Sequence, residues 1–274
     1  MPYYILDLEY NQYFDFHDNR QPEPACPAEI IQMGVVVMDD KLNIKLRRET
    51  LVRPQIYKRL HPYVERITGI SKDDLRQAPA FPDAFEDFFG FAFGKRAVFC
   101  TWGNDDIKEL YRNILYYDLN HKRLTRRFLN VQKLYGSYNA AIHGEKAENG
   151  EAEQPSRQQI GLRNAIEGLG IPMERPFHTA LSDAEYTAEV LARVLADKKA
   201  PSAALPQILD VKSLQDHIIS RVNSVNIRLL YNHAEHLLRR KLSERDKDAL
   251  LELYILGRKG KFDVPRPRHP RARN

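Results

Sequence analysis

Solid apolar runs and longer stretches of helical spacing mark out the ordered parts of this chain. Tyr3-Tyr4-Ile5-Leu6 is a run that predicts a buried strand, closed by Asp7-Leu8-Glu9. Ala97-Val98-Phe99-Cys100 predicts another, and Gly103 breaks it before a helix from about Asp105. Between Ala180 and Lys199, Leu181, Ala184, Ala188, Leu191 and Leu195 recur with a helical period. That places His178 just ahead of a helix and Asp183 in its first turns. Beyond the linker Lys198–Pro206 the spacing changes. Val225–Leu242 reads as a helix with Leu229, Leu230, Ala234, Leu237 and Leu238 to bury, Ser243–Asp246 as a helix start, and Gly257 as a stop.

Strand side chains alternate faces, so Asp7 and Glu9 share one, about 7 Å apart. Two carboxylates that close repel each other unless a proton or a cation lies between them. Asp106, at the start of the helix after Gly103, and Asp183 add a third and a fourth acid. Acids at a helix N-terminus also serve as partners of its dipole, which is our reading of Asp105. Such an oxygen-rich cluster suits Mg²⁺ or Mn²⁺, and two such ions can clamp the attacking and leaving oxygens of an in-line displacement at phosphorus. Histidine titrates near neutrality, which suits His178 to a general base.

The order Asp7-x-Glu9, Trp102-Gly-x-x-Asp106-x-x-x-Leu110, His178-x-x-x-x-Asp183 resembles the DEDDh, or DnaQ-like, 3′→5′ exonucleases. Glu29–Val37 resembles that family's second strand, and Ile67-Thr-Gly-Ile-Ser71, with Ala78-Pro-Ala-Phe81, its Leu-Thr-Gly-Ile loop. Asn130–Tyr138 resembles the strand and Lys-x-Tyr-Gly turn of the branch that holds histone-mRNA 3′-end exonucleases, whose bacterial relatives include an inhibitor of the sporulation kinase pathway. The resemblance spans roughly residues 2–200. It implies an α/β fold of RNase H-like type: a mixed five-stranded sheet flanked by helices, here with a helical C-terminal extension. It implies that Asp7, Glu9 and Asp183 hold one metal ion, that Asp7 bridges to a second served by Asp106 through water, and that His178 is the base. One departure is Tyr10, where the family often has a small residue beside the terminal sugar. The ring would either narrow that pocket or offer a stacking face.

Composition narrows the setting. No apolar run is long enough to span a membrane and the N-terminus enters a strand at once, so a soluble cytoplasmic protein is expected, without a membrane partner. Cys26 in a Pro-rich loop and Cys100 in a buried strand predict neither a structural disulfide nor a zinc site. Residues 201–274 carry 15 Lys and Arg against 8 Asp and Glu, whereas residues 1–200 carry 27 against 29. The basic excess therefore belongs to the C-terminal part. The expected division is a catalytic domain over 1–200, a helical extension over 201–257 and a basic, disordered tail over 258–274. The tail reads either as a solvated end or as an arm for nucleic acid, and the extension as a candidate surface for a protein partner. The acidic stretch His143–Pro155 is expected to be a loop without a catalytic role.

Tyr10 and Met33 are candidate faces for the last nucleotides, because apolar and aromatic groups stack on bases without reading sequence. Lys133 and Tyr135, on the expected turn, are candidate contacts to backbone phosphate. The basic run His121-Lys122-Arg123, with Arg126 and Arg127, reads as a solvated face. The function expected is metal-dependent 3′→5′ hydrolysis of single strands with a free 3′ end, RNA in preference to DNA, to 5′-mononucleotides. The alternative is a regulatory or adaptor protein that binds nucleic acid or a protein partner without turnover.

Overall fold

The computed structural model describes residues 1–14, 23, 25–94, 96–143, 160–197 and 207–214, then 231, 234–235, 237–247, 249–250 and 253. Two compact units divide the chain, Met1–Ser220 and Arg221–Asn274. The first unit runs past the linker expected at 198–206, because Leu209, Val211 and Leu214 are buried in its core. Among its described residues the second unit has a helix start at Ser243. There the Ser243 N–H donates to the Asp246 carboxylate (2.9 Å) and the Asp246 N–H to the Ser243 hydroxyl (3.2 Å), a reciprocal cap. The tail 258–274 and the acidic stretch from 144 onward lie outside the described residues.

In the first unit β1 (Tyr3–Gln12), β2 (Ala28–Met38) and β3 (Ile44–Leu51) form an antiparallel meander. Helices α1 (Pro62–Thr68), α2 (Lys72–Arg76) and α3 (Phe81–Phe89) follow. Gly69 ends α1 in the left-handed conformation and Ser71 caps α2, so the segment 67–71 is a helix-to-helix turn. Next come β4 (Val98–Thr101), α4 (Asp105–Tyr116), β5 (Arg127–Asn130), α5 (Val131–His143), α6 (Leu162–Gly168), α7 (Ala180–Ala196) and β6 (Gln207–Ile208). The sheet has six strands in the order β3-β2-β1-β4-β5-β6, with β4 parallel to β1 and β5 parallel to β4. Five strands were expected. The sixth, two residues of β6 antiparallel to β5, lacks the apolar periodicity that marks a strand in sequence.

Helices cover both faces. Tyr4, Leu6 and Leu8 of β1 point to one layer, packed with Phe81, Phe85, Phe88 and Phe89 of α3 and Ile107, Leu110 and Tyr111 of α4. Ile5 of β1 points to the other, with Leu134, Tyr135 and Tyr138 of α5 and Ala184, Ala188, Leu191 and Val194 of α7. By that alternation Asp7 and Glu9 face the side of α7.

The start of α7 lies unusually close to the sheet. Gly34, paired with Asp7, has its missing Cβ position only 2.2 Å from the carbonyl carbon of Ala180. No side chain fits there, which explains a glycine inside an otherwise buried strand. Gly34→Ala should push α7 off the sheet, costing about 1–3 kcal/mol as overpacking does and lowering the melting temperature by roughly 2–4 °C per kcal/mol. An unchanged thermal unfolding curve for Gly34→Ala would show that this contact does not fix α7.

Candidate active site

β1 is paired to β4 only from Tyr3 to Ile5, so from Leu6 onward that flank is open. Asp106, in the first turn of α4, fills the opening. Its carboxylate accepts a hydrogen bond from the Leu8 backbone N–H and another from the Tyr10 hydroxyl at 2.6 Å. Asp106 is only 8% exposed while Asp105 beside it faces solvent, so the helix register turns Asp106 inward. Gly103 (φ 103°) makes the turn from β4 into α4, and the Asn130 side chain braces it through Asn104 at 2.8 Å.

On the other side α7 supplies Asp183. The helix N-terminus has no cap of its own from Thr179. Instead the Ala180 N–H donates to Gln32 Oε1 (3.1 Å) and the Leu181 N–H to Glu49 Oε1 (3.2 Å), with Gln32 Nε2 bonded to the same Glu49 oxygen (3.0 Å). Strands β2 and β3 thus cap α7 and, with Gly34, set its position. His178 is exposed and adopts φ 63°, a left-handed conformation that a side-chain-bearing residue seldom takes. Its backbone N–H donates to Asp183 Oδ2 at 3.0 Å. Phe177 stacks on Tyr186 (5.0 Å, 15°), whose hydroxyl bonds both the N–H and the carbonyl of Arg175, so the preceding loop is pinned.

The result is one cluster. A carboxylate oxygen each from Glu9 and Asp183 and a ring nitrogen of His178 lie within 4.8 Å of one another. Asp7 joins them electrostatically, its carboxyl held well above the ordinary range by burial and then by Asp106, Asp183 and Glu9. Burial, followed by Asp183 and Asp106, pushes Glu9 up to about 8. Asp106 rises to about 7 through burial, against the lowering pull of the Tyr10 hydroxyl. Asp183 is raised by burial, against the lowering effect of the His178 N–H, the His178 ring and Arg163. Asp183 Oδ1 is buried with no hydrogen-bond partner among the described residues. A buried free carboxylate oxygen, beside acids that burial and then neighbouring acids hold above their ordinary range, fits a hard divalent cation.

The expected substrate contacts fare differently. Met33 is fully buried (0% exposed) in the core against α3 and α4, and Tyr135 (3%) packs at 6.3 Å from Trp102 in the opposite core, so neither offers a face to a ligand. The Lys133–Gly136 segment is the first part of α5, not a turn, because helix α5 begins directly after β5. Lys133 is exposed on it, with its N–H bonded to Asn130. Tyr10 is half-buried, with its hydroxyl committed to Asp106. Gln32, Gly34 and Glu49 also build the site, though the sequence alone does not mark them as site residues. The interior strand glycine was the one available signal, since it marks close backbone approach.

Comparison with known proteins gives a consistent picture. A family model described as an exonuclease, RNase_T, matches residues 21–191. The chain is 25% identical over 203 residues to 3′-5′ exoribonuclease 1 of Mus musculus, covering 68% of this chain and 55% of that protein. It spans about half the length of the curated relatives it matches. The nuclease domain of 3′hExo, a DEDDh family member bound to rAMP, superposes with a TM-score of 0.57 at 22% identity, covering 76% of this chain and 96% of that one. A 3′-exonuclease solved for 3′-end recognition of a histone mRNA stem-loop gives 0.56 at 20%, covering 76% and 90%. The fold is the one these enzymes share.

The raised carboxyls give a stability test. Unfolded Glu titrates near about 4.3, whereas Glu9 in the fold titrates near about 8. Between those values the folded state keeps a proton that the unfolded state has lost. Glu9 therefore supports the metal-free fold best at low pH, and its support fades as pH rises toward 8. With chelator present, the melting temperature of wild type should fall relative to Glu9→Gln from about pH 5 to about pH 8. Mg²⁺ should raise the wild-type value most at the upper end. A wild-type-to-variant difference that stays constant across this range would refute a shared, repelling cluster.

Proposed function

This chain belongs to the exonuclease family, and we propose that it hydrolyses single-stranded nucleic acid from a free 3′ end, RNA in preference to DNA. The products are 5′-mononucleotides. The observation that carries the proposal is the convergence of Asp7, Glu9, Asp106, Asp183 and His178 at the open flank of β1. The RNA preference is supported by the exoribonuclease name of the mouse relative and by the histone mRNA stem-loop and the rAMP named in two solved structures with the same fold.

Asp7, Glu9 and Asp183 would hold one divalent ion and Asp7 with Asp106 a second, Mg²⁺ or Mn²⁺. When bound, the ions supply the positive charge that attacking and leaving oxygens need during in-line displacement. The residues of the chain do the rest. His178, exposed at the mouth of the cluster, accepts a proton from the attacking water as its oxygen bonds to phosphorus. The bond from phosphorus to the 3′ oxygen breaks, the shortened strand takes a proton there from solvent, and the released nucleotide keeps the 5′-phosphate. The Asp183 carboxylate, tied to the His178 backbone, keeps base and metal-binding acid in one register.

Asp7→Ala should abolish hydrolysis while leaving the fold intact, and Glu9→Gln and Asp183→Asn should come close to it. His178→Ala should lower turnover by about 10²–10⁴-fold, the usual worth of general acid–base catalysis, with little change in Mn²⁺ affinity by calorimetry. A large loss of Mn²⁺ binding in His178→Ala would make that ring a ligand instead of the base.

Polarity is tested with topology. A linear single strand should be shortened from its 3′ end to mononucleotides, while a covalently closed circle of the same sequence persists. Rapid cutting of the circle would make the protein an endonuclease.

A further inference from the structure

At the end of the sheet opposite the acidic cluster lies a half-open cavity of about 530 Å³. Met1, Ala97 and Arg127 line it, and these residues stand at the beginnings of the parallel strands β1, β4 and β5. Its charged lining is entirely basic: Arg96, Lys122, Arg123 and Arg127. Arg123 is occupied, with its guanidinium on Glu86 (2.6 Å) and stacked 3.5 Å from the Phe93 ring centroid. Arg96, Lys122 and Arg127 are exposed, and none has an acidic partner among the described residues. Like charges gathered on one concavity without acids repel each other, which is tolerated where an anion is to be received. His121, beside the cavity, registers the local field: its imidazole is pushed down by burial first and then by Lys122 and Arg126.

We propose that the cavity lined by Arg96, Lys122 and Arg127 is a second polynucleotide site that grips backbone phosphates of the strand whose 3′ end lies in the acidic cluster. The inference rests on the nuclease reading for the choice of ligand. From Met1 to Asp7 or Glu9 along β1 is roughly 20–26 Å at about 3.3 Å per residue. Stacked at the ~3.4 Å per nucleotide of a duplex strand, about six to eight nucleotides occupy both places. Arginine and lysine grip phosphate without reading bases, so the site adds affinity and length dependence, not sequence preference. The two ends of the sheet then divide the work, one holding the strand and the other cutting it.

The test is the triple variant Arg96→Gln, Lys122→Gln, Arg127→Gln in the full chain, with its folding verified by circular dichroism. Arg123 is left in place because it holds Glu86 and Phe93. Binding of a labelled 30-nucleotide oligouridylate with a hydrolysis-resistant 3′ phosphorothioate end is followed by anisotropy in Mg²⁺ at several salt concentrations. Three lost contacts should make the salt slope shallower by about 2, at ~0.7 per phosphate for single strands. Between about 50 mM and about 200 mM salt the wild type should then lose roughly 20-fold more affinity than the variant. Binding and turnover of a three-nucleotide strand, too short to bridge, should be unchanged. Because the contrast is read from binding, it holds or fails whether or not the strand is ever hydrolysed. Equal affinity and slope in the two proteins would overturn the proposal. So would inorganic phosphate binding that the variant abolishes while its hold on the 30-nucleotide strand stays at the wild-type level.

Discussion

Burial of Asp7, Glu9, Asp106 and Asp183 side by side is the constraint on which this molecule depends, because the elements around the cluster hold those groups together away from water. Burial raises all four carboxyls, and Asp106 and Asp183 raise Asp7 and Glu9 further. Left alone such a cluster holds protons near neutrality; given a divalent ion it releases them. Metal affinity and acidity are thus one property seen from two sides. Crowding of buried acids in this way would make a doubly charged ion a favourable occupant.

Crowding of this kind requires rigid supports, and the fold provides them from both flanks of β1. On one side Asp106 replaces the missing strand neighbour by accepting from Leu8, and Tyr10 adds a second donor to the same carboxylate. On the other, α7 cannot drift, because Gln32 and Glu49 cap it and Gly34 lets its first residues touch the sheet. Asp183 and His178 inherit that precision through a single backbone-to-carboxylate bond. The left-handed φ of His178 is a local cost sustained by these fixed neighbours, a pattern common where geometry serves chemistry.

Periodicity exposed the elements that bear the site because each is strongly patterned. The solid run at Tyr3–Leu6 became β1, the break at Gly103 preceded α4, and the spaced residues after Ala180 became α7. What stayed hidden depends on which way a side chain turns once packed. Met33 and Tyr135 have the right chemistry for a nucleotide platform, yet each lies in one of the two cores. Strand alternation and the open flank of β1 carry the Tyr10 hydroxyl to Asp106. A residue's type was legible; its partner across 96 positions of sequence was not. The capping of α7 by two sheet side chains is likewise long-range, with separations of 148 and 132 residues. No local pattern encodes such a bond.

Charge is divided along the sheet. Residues 1–200 are nearly balanced in number of charges, 27 basic against 29 acidic, so a mean value hides any polarity. In space Asp7, Glu9, Asp106 and Asp183 gather at the open flank of β1, and Arg96, Lys122 and Arg127, without acidic partners among the described residues, at the opposite end of the strands. A polyanion near the metal-free cluster meets repulsion, and near the basic cavity attraction, so the field favours one sense of approach. With cations in the proposed metal site, the repulsion would be removed at the terminus alone and the strand could be held at both ends. Metal binding would then govern more than the chemistry at the cluster. On the proposed function it would also decide whether a strand held at the basic end could present its own 3′ terminus.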